Sequence, residues 1–370
     1  MKKMIFTAAM MLASAAAMAQ SGTFQIKGNV EGLPDSLVAM IGRKTENIEV
    51  KKKKFVYSKN FDKPQWVYLC DQKVIKSGVF KVQPVFAIPG ETIEMKGNFT
   101  GGVDIKGGKF YQEQDLMNEY KSQAYKDIQA LWKWCSDNTN DSNRDSIDKV
   151  VDERMEPLKK KYAADLLAYA KQHSDQECIA LLIDDLDDVK DKETLISLMA
   201  DNVKNGRMKA YYEPIFERAK KRAEMEEKAK VVQASGVEAP DFTLNDINGK
   251  PFSLSSLRGK YVVIDFWGSW CIWCIKGMPK MKEYYEKYKG KFEILGVDCN
   301  DTEAKWKAAV EKHQLPWIHV YNPKGSDVLD KYAVQGFPTK IVIGPDGKIV
   351  KTIVGEDPAF YTLLDEVLGK

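Results

Sequence analysis

A chain of 370 residues has room for two or three domains with cores of their own, and an apolar content of 44% is that of globular protein rather than of a disordered or membrane-embedded chain. Its 56 basic and 53 acidic residues are interspersed and leave a formal charge of +3, so there is no electrostatic footprint for nucleic acid. Six cysteines are too sparse to staple a chain of this length as a disulfide scaffold.

Lys2 and Lys3 precede an apolar stretch from Met4 to about Met18, and Ala17-Met18-Ala19 has the small-x-small pattern of a cleavage site. Basic, apolar and cleavable regions in that order predict a secretory signal peptide over residues 1–19, cut after about Ala19. The run is short and Ala-rich for a membrane span, and no cysteine adjoins the cut to carry a lipid. The mature protein is therefore expected outside the cytoplasm, in a bacterial periplasm.

Residues 22–100 read as a small all-β domain, a sandwich or barrel. Thr23 to Val30 alternates faces with period two, and short runs follow at 37–41, 54–57, 66–69, 79–82 and 85–88. Turn signals such as Gly32-Leu33-Pro34-Asp35 and Pro89-Gly90 separate them. Lys51 to Lys54 is a charge run of the kind that guards a solvated sheet edge.

Over residues 108–230 the period becomes helical. Met117, Tyr120, Ala124, Ile128, Leu131 and Cys135 share one face, as do Ile147, Val151, Met155, Leu158, Tyr162, Leu166 and Tyr169, with Pro157 predicting a kink or break. Ser174-x-x-Glu177 reads as a capping box opening the apolar run Cys178 to Ile183, and a further helix is predicted from Lys192 to Lys204. A Cys135–Cys178 bridge is conceivable; the plainer reading of these two, and of Cys70 and Cys299, is as small buried apolar residues. Residues 231–238 form the best linker candidate.

From 239 to 370 strands and helices alternate, the pattern of an α/β module. Strands are predicted at 242–244 and 251–254 around Asn248-Gly249, then at 261–267, 292–297 and 317–321, and in a terminal hairpin of 339–343 and 348–354. Helices are predicted at 275–289, 302–312, 328–333 and 359–368.

Trp270-Cys271-Ile272-Trp273-Cys274 stands between the strand 261–267 and the helix that follows it. A thiol at a helix N-terminus sees unpaired N–H groups and the positive end of the dipole, both of which stabilise thiolate, and one turn on brings the second thiol within reach. That arrangement suits a reversible dithiol–disulfide couple. Zinc would need two more ligands, and Cys299, His313 and His319 are single and scattered. A merely structural bridge over two residues would be tight and labile. A peroxidatic thiol would want Pro-x-x-x-Thr/Ser-x-x-Cys, where this chain has Phe266-Trp267-Gly268-Ser269-Trp270.

The last third resembles the thioredoxin-fold domain of the TlpA/ResA type, the exported thiol–disulfide oxidoreductases. The matching stretches, in order, are Ala239 to Leu244, Leu257-Arg258-Gly259-Lys260, Val263 to Cys271, and Gly336-Phe337-Pro338-Thr339. The resemblance implies that Cys271 attacks and Cys274 resolves, through a Cys271–Cys274 disulfide, and that Asp265 is a buried carboxylate relaying the Cys274 proton. It makes Pro338 a cis-proline facing the disulfide and gives the backbone of Phe337 a strand of substrate to pair with. Trp270, Ile272 and Trp273 complete the substrate-facing set. Two features depart from the family: Ile272-Trp273 replaces the usual dipeptide with proline before the second cysteine, and Gly277 stands where ResA-like members carry glutamate.

The expected protein is thus an exported thiol–disulfide oxidoreductase that reduces protein disulfides. It needs no cofactor or metal and is recharged by a membrane thiol electron donor, with homo-oligomerisation left open. The alternatives are a thiol peroxidase using Cys271, and a partner-binding protein whose thioredoxin module is a scaffold.

Overall fold

Strand β1 (Gly22–Glu31) turns Phe24, Ile26 and Val30 inward and Thr23, Lys27 and Asn29 to solvent, the alternation of a half-buried strand. It belongs to a computed structural model that describes residues 21–75, 82–120, 122–140 and 142–369. The leader expected at 1–19 lies outside the described residues, as do residues 79–81 of the strand expected at 79–82. The chain divides into two compact units, Met1–Ala219 and Lys220–Lys370.

In the first unit, β1 is joined by β2 (Leu37–Ile41), β3 (Lys44–Asn47), β4 (Lys54–Phe61), β5 (Gln65–Asp71), β6 (Val82–Ala87), β7 (Thr92–Asn98) and β8 (Gly102–Lys106). They form two four-stranded sheets, ordered β4-β1-β7-β8 and β3-β2-β5-β6. All neighbours are antiparallel except β1 and β7, which run parallel.

The helices of this unit are α1 (Gln72–Ile75), α2 (Lys109–Glu119), α3 (Gln123–Asn138), α4 (Arg144–Gln172), a 3₁₀ turn (Glu177–Asp184), α5 (Val189–Leu198), α6 (Asp201–Lys204) and α7 (Lys209–Val232), within which the boundary between the units falls. The strands share a core with most of the helices: Phe24, Val67 and Phe86 belong to the same apolar cluster as Phe110, Leu166, Ile179 and Tyr211, whereas α3 and the first half of α4 pack together in a smaller cluster of their own around Leu131, Val151 and Met155. Phe86 is central to it, its ring centroid 5.4 Å from that of Phe110 and 4.8 Å from that of Tyr211. Arg207 adds a polar clamp, with Nη1 2.6 Å from Glu91 Oε1 and Nη2 donating to Glu177 Oε2 at 2.7 Å.

Several local expectations change here. The face from Met117 to Cys135 is split between α2 and α3, because Ser122 accepts the Tyr125 N–H (3.2 Å) and starts a new helix. Ser174 does not cap; Gln176 is the N-cap, and the Glu177 carboxylate is committed to Arg207 instead of reaching back. The run Cys178–Ile183 is buried on all sides as a 3₁₀ turn. The helix expected over 192–204 breaks at Met199, whose extended backbone (ψ 133°) carries its side chain into the core. Helix α4 is continuous through Pro157. Cys135 and Cys178 are free thiols and are not bridged to one another.

The second unit is a seven-stranded sheet built from β9 (Thr243–Asp246), β10 (Pro251–Ser253), β11 (Tyr261–Trp267), β12 (Phe292–Asp298), β13 (Ile318–Tyr321), β14 (Thr339–Ile343) and β15 (Ile349–Val354). Their order is β10-β9-β13-β12-β11-β14-β15. Strand β11 runs parallel to β12 and antiparallel to β14, so it is the central strand and is buried from Val262 to Trp267. Its continuous β-branched and aromatic run is what a strand covered on both faces requires. The helices are α8 (Ile272–Lys287), α9 (Glu303–His313), α10 (Val328–Lys331) and α11 (Ala359–Leu368).

Val263 and Trp267 of β11 join a cluster with Met278 of α8 and Phe360 of α11, while Val262, Ile264 and Phe266 join a second cluster on the other face. Residues 231–238 close α7 and then run beside β15, with Gly236 N–H donating to Ile349 O (2.7 Å) and Ile349 N–H to Val237 O (2.8 Å). Among the described residues no helix is long and apolar enough to cross a membrane.

The Arg207 clamp is testable in the first unit. Arg207→Gln leaves Glu91 and Glu177 facing each other's charge without a cation. The half-buried geometry predicts a loss of about 1–3 kcal/mol, below the cost of breaking a fully buried pair. Urea denaturation should show it as a lower midpoint for this unit's transition.

Candidate functional site

Strand β11 ends at Trp267, and four residues later α8 begins with Cys271 as its N-cap. The Cys271 sulfur accepts the Cys274 N–H at 3.2 Å, so it takes up one of the donors a helix start leaves unpaired. The two sulfurs are bonded to one another, with the Cα atoms 5.3 Å apart. Cys271 keeps 5% of its surface and Cys274 4%.

The loop between strand and helix is held from the end of β12. Trp270 donates its indole N–H to Cys299 O (3.0 Å), and Ser269 N–H donates to Asp301 Oδ2 (2.7 Å). Gly268 permits this, since a Cβ there would sit 2.5 Å from Trp270 Nε1 and 2.8 Å from Cys299 O. The Cys299 thiol is itself buried, donates to Val297 O, and is pushed well above its usual range by burial, so it is a packing residue.

Around the disulfide, Trp270, Ile272 and Trp273 are exposed although large and apolar. The Trp270 ring meets Phe337 edge-on, centroids 5.5 Å apart, and Lys276 lies 4.4 Å over the Trp273 ring. The Phe337–Pro338 bond is cis and leads straight into β14. Residues 270 and 337 thus bring the thiol loop and the proline loop together. The remaining candidate, Asp265, stands in mid-strand.

Side chains alternate along β11, so Asp265 faces the same way as Val263 and Trp267, towards the layer that holds Cys271, Cys274 and α11. It is buried, not a solvent-facing strand end. Directly opposite in the register is Lys340, whose side chain is 1% exposed and whose Nζ lies 3.9 Å from Asp265 Oδ1. Lys340 Nζ donates to Glu356 Oε2 at 2.8 Å, and Tyr361 OH donates to Glu356 Oε1 at 2.9 Å. Burial pushes the Asp265 carboxyl up to about 6; Lys340 pulls it down, and the negative charge of Glu356 adds to the rise.

Lys340, Glu356 and Tyr361 were not singled out in the sequence. Only Lys340 carries a signal, a lone cation in the otherwise apolar run Thr339-Lys340-Ile341-Val342-Ile343. Glu356 also explains Gly277. A Cβ there would lie 2.3 to 2.5 Å from the Glu356 carboxylate atoms, so that carboxylate fills the space beside the helix that a side chain at 277 would need. Among the described residues, no three His, Cys, Asp or Glu side chains are grouped to hold a metal ion.

Residues 235–352 match the model of the AhpC/TSA family. The thiol-disulfide oxidoreductase ResA of Bacillus cereus (strain ZK / E33L) is 43% identical over 122 residues, covering 33% of this chain and 70% of that protein. ResA of Bacillus subtilis (strain 168) is 36% identical over 123 residues, covering 33% and 68%. The thioredoxin domain of a thiol-disulfide oxidoreductase from Bacteroides vulgatus is 36% identical, covering 36% of this chain and 98% of that one at a TM-score of 0.35.

A central strand feeding two thiols at a helix start, in a sheet of this order, is the thioredoxin fold of a thiol–disulfide oxidoreductase. The chain belongs to the ResA family of these enzymes.

The buried carboxyl makes stability depend on pH. Asp265 ionises near 6 when folded, against an ordinary value of 3.8, so between these the folded state holds a proton the unfolded chain has released. The stability linked to it is complete below pH ~4 and is lost as pH rises through about 6. Asp265→Asn is neutral throughout and should stabilise the second unit by up to about 3 kcal/mol at pH 7 and by little at pH 4. Denaturant midpoints at the two pH values check this.

Proposed function

We propose that the protein is an exported reductant of protein disulfides, with Cys271 as nucleophile and Cys274 as resolving thiol. The observation that carries this reading is the Cys271–Cys274 bridge at the start of α8, set beside the cis Phe337–Pro338 bond and ringed by exposed apolar side chains. Lys2, Lys3 and the Ala17-Met18-Ala19 pattern support export.

In the reduced enzyme the Cys271 thiolate attacks one sulfur of a substrate disulfide. The Cys271–substrate bond forms, the substrate S–S bond breaks, and the first substrate thiolate leaves and takes a proton from water. Asp265 then accepts the proton of Cys274, whose thiolate attacks the Cys271 sulfur. The Cys271–Cys274 bond forms and the second substrate sulfur departs and is protonated. Two electrons and two protons have passed to the substrate. A second dithiol, on a membrane carrier, returns the enzyme to its reduced state.

The backbone at Phe337, next to Pro338, offers a short edge on which an extended substrate segment pairs as an added strand. Trp270, Ile272 and Trp273 supply the apolar contact beside it. Because Cys271 itself shows little surface, a protein partner has to bury the collar to bring its sulfur to the nucleophile, whereas a small disulfide needs no such contact.

Cys274→Ser should accumulate mixed disulfides between Cys271 and periplasmic proteins, stable on non-reducing gels and absent in Cys271→Ser. Equilibration with glutathione should place the couple nearer the about −270 mV of thioredoxin than the about −120 mV of a strong oxidant. Rapid peroxide turnover that survives Cys274→Ser would instead select the peroxidase reading. A potential at the oxidising end would reverse the direction assigned.

The collar has its own signature. The double variant Ile272→Ala, Trp273→Ala removes apolar contact worth about 1.5–3 kcal/mol in all, because only the surplus over the cost of association appears as affinity. It should lower kcat/KM for a protein disulfide by about ten- to a hundredfold, and leave the reaction with a small aromatic disulfide within about threefold of the unsubstituted protein.

A further inference from the structure

Three ionisable groups share the interior behind the thiol helix, and their charges do not cancel. Lys340 is one cation between two carboxylates, 2.8 Å from Glu356 and 3.9 Å from Asp265. Among the described residues Asp265 Oδ1 has no hydrogen-bond partner, whereas both oxygens of Glu356 are engaged, one by Lys340 and one by Tyr361. With Lys340 charged and Glu356 ionised, that pair is neutral, and ionising Asp265 adds an uncompensated buried anion. The closer carboxylate holds most of the cation's field.

We propose that Lys340 and Glu356 are positioning residues for the resolving step: Glu356 competes with Asp265 for the Lys340 ammonium and so fixes when Asp265 can take the Cys274 proton. This rests on the roles proposed above for Asp265 and Cys274. In the step itself the proton moves from Cys274 Sγ to Asp265, the Cys271–Cys274 bond forms, and the bond between Cys271 and the substrate breaks with the electron pair leaving on substrate sulfur. Lys340 and Glu356 exchange no atoms. They set the charge balance in which that transfer occurs.

Beside Asp265 on β12 is Gly296, covered by the buried His319 ring of β13, which burial lowers to about 3 and so keeps neutral. Strand β14 supplies Lys340, the turn after β15 supplies Glu356, and α11 supplies Tyr361, which burial and Glu356 hold neutral. Helix α8 supplies Cys271 and Cys274, with Lys280 lying outside over the Tyr361 ring at 4.2 Å. The end of β12 supplies the neutral thiol of Cys299, which the charge of Asp265 helps to keep protonated. Lys340 is therefore the near cation, and Glu356 the group that divides it with Asp265.

The two residues have opposite signs, which separates a charge-setting role from a merely structural one. Removing the competitor by Glu356→Gln leaves Lys340 to Asp265 and favours its ionised form. Removing the cation by Lys340→Met leaves Asp265 beside an anion and favours its protonated form. An opposite charge within this range moves a carboxyl by about one to three pH units.

The test uses the full reduced chain mixed rapidly with a small aromatic disulfide whose thiolate is coloured. Attack by Cys271 releases one coloured thiolate and resolution by Cys274 a second, so the second phase reports removal of the Cys274 proton. In the unsubstituted protein its rate should rise with pH through a limb near 6. Glu356→Gln should move that limb down by about one pH unit and Lys340→Met up by about one, with Lys340→Arg restoring it. Asp265→Asn should abolish it.

Shifts of both variants in the same direction, or no shift in either, would overturn the proposal while leaving the dithiol reading intact. A limb that survives Asp265→Asn removes the base on which it depends and overturns it too. Absence of any second phase in the unsubstituted protein points instead to failure of the dithiol reading itself, and the proposal falls with it. Should Lys340→Met fail to fold, the direction of the Glu356→Gln shift decides alone.

Discussion

The strand register that sets Asp265 opposite Lys340 across β11 and β14 is the constraint on which the arrangement of the second unit's site depends. Each side chain is buried, and an unpaired charge in that position would cost several kcal/mol. Register in a sheet is a choice between faces: a slip of one residue in β14 would send Lys340 to the opposite layer and strand Asp265. The same slip would displace Pro338, which precedes β14 directly. The ion cluster and the placing of the proline loop are therefore one structural decision, made at the centre of the sheet.

From that centre the thiol site is assembled at strand ends. Strand β11 delivers the loop of Trp270 and Cys271, β12 delivers Cys299 O and Asp301 to hold that loop, and the start of β14 delivers Phe337 and Pro338. The neighbours of β11 run in opposite directions, one parallel and one antiparallel. A crevice at the carboxyl end of such a strand is where open α/β sheets place their chemistry.

Much of this was legible because it is local. The run Tyr261 to Trp267, the thiol spacing, the Asn248-Gly249 hairpin and the strand pair 339–343 and 348–354 follow from periodicity and turn chemistry within short windows, and the strands form there. Asp265 is marked only as a lone charge in the apolar run 261–267, and its role, like that of Pro338, required the family resemblance. Glu356 and Tyr361 escaped altogether: their part depends on which strand lies beside which, a long-range property. Gly277 shows the same gap from the other side, as a departure that makes sense only once the Glu356 carboxylate is seen against it. In the first unit, Ser174 and Glu177 carry a sound local signal that a distant Arg207 outbids.

Phe86 stands in a sheet, stacks on Phe110 and meets Tyr211 edge-on, so no seam separates the strands from the helices α2 and α7 that carry these rings. Shuffling by recombination works where few contacts cross the joint, and here the joint would run through oil. Neither portion is an exchangeable cassette: a lineage that kept the strands while discarding the helices would inherit an open, adhesive face. The strands and the helices packed on them have to be passed on, lost or replaced together.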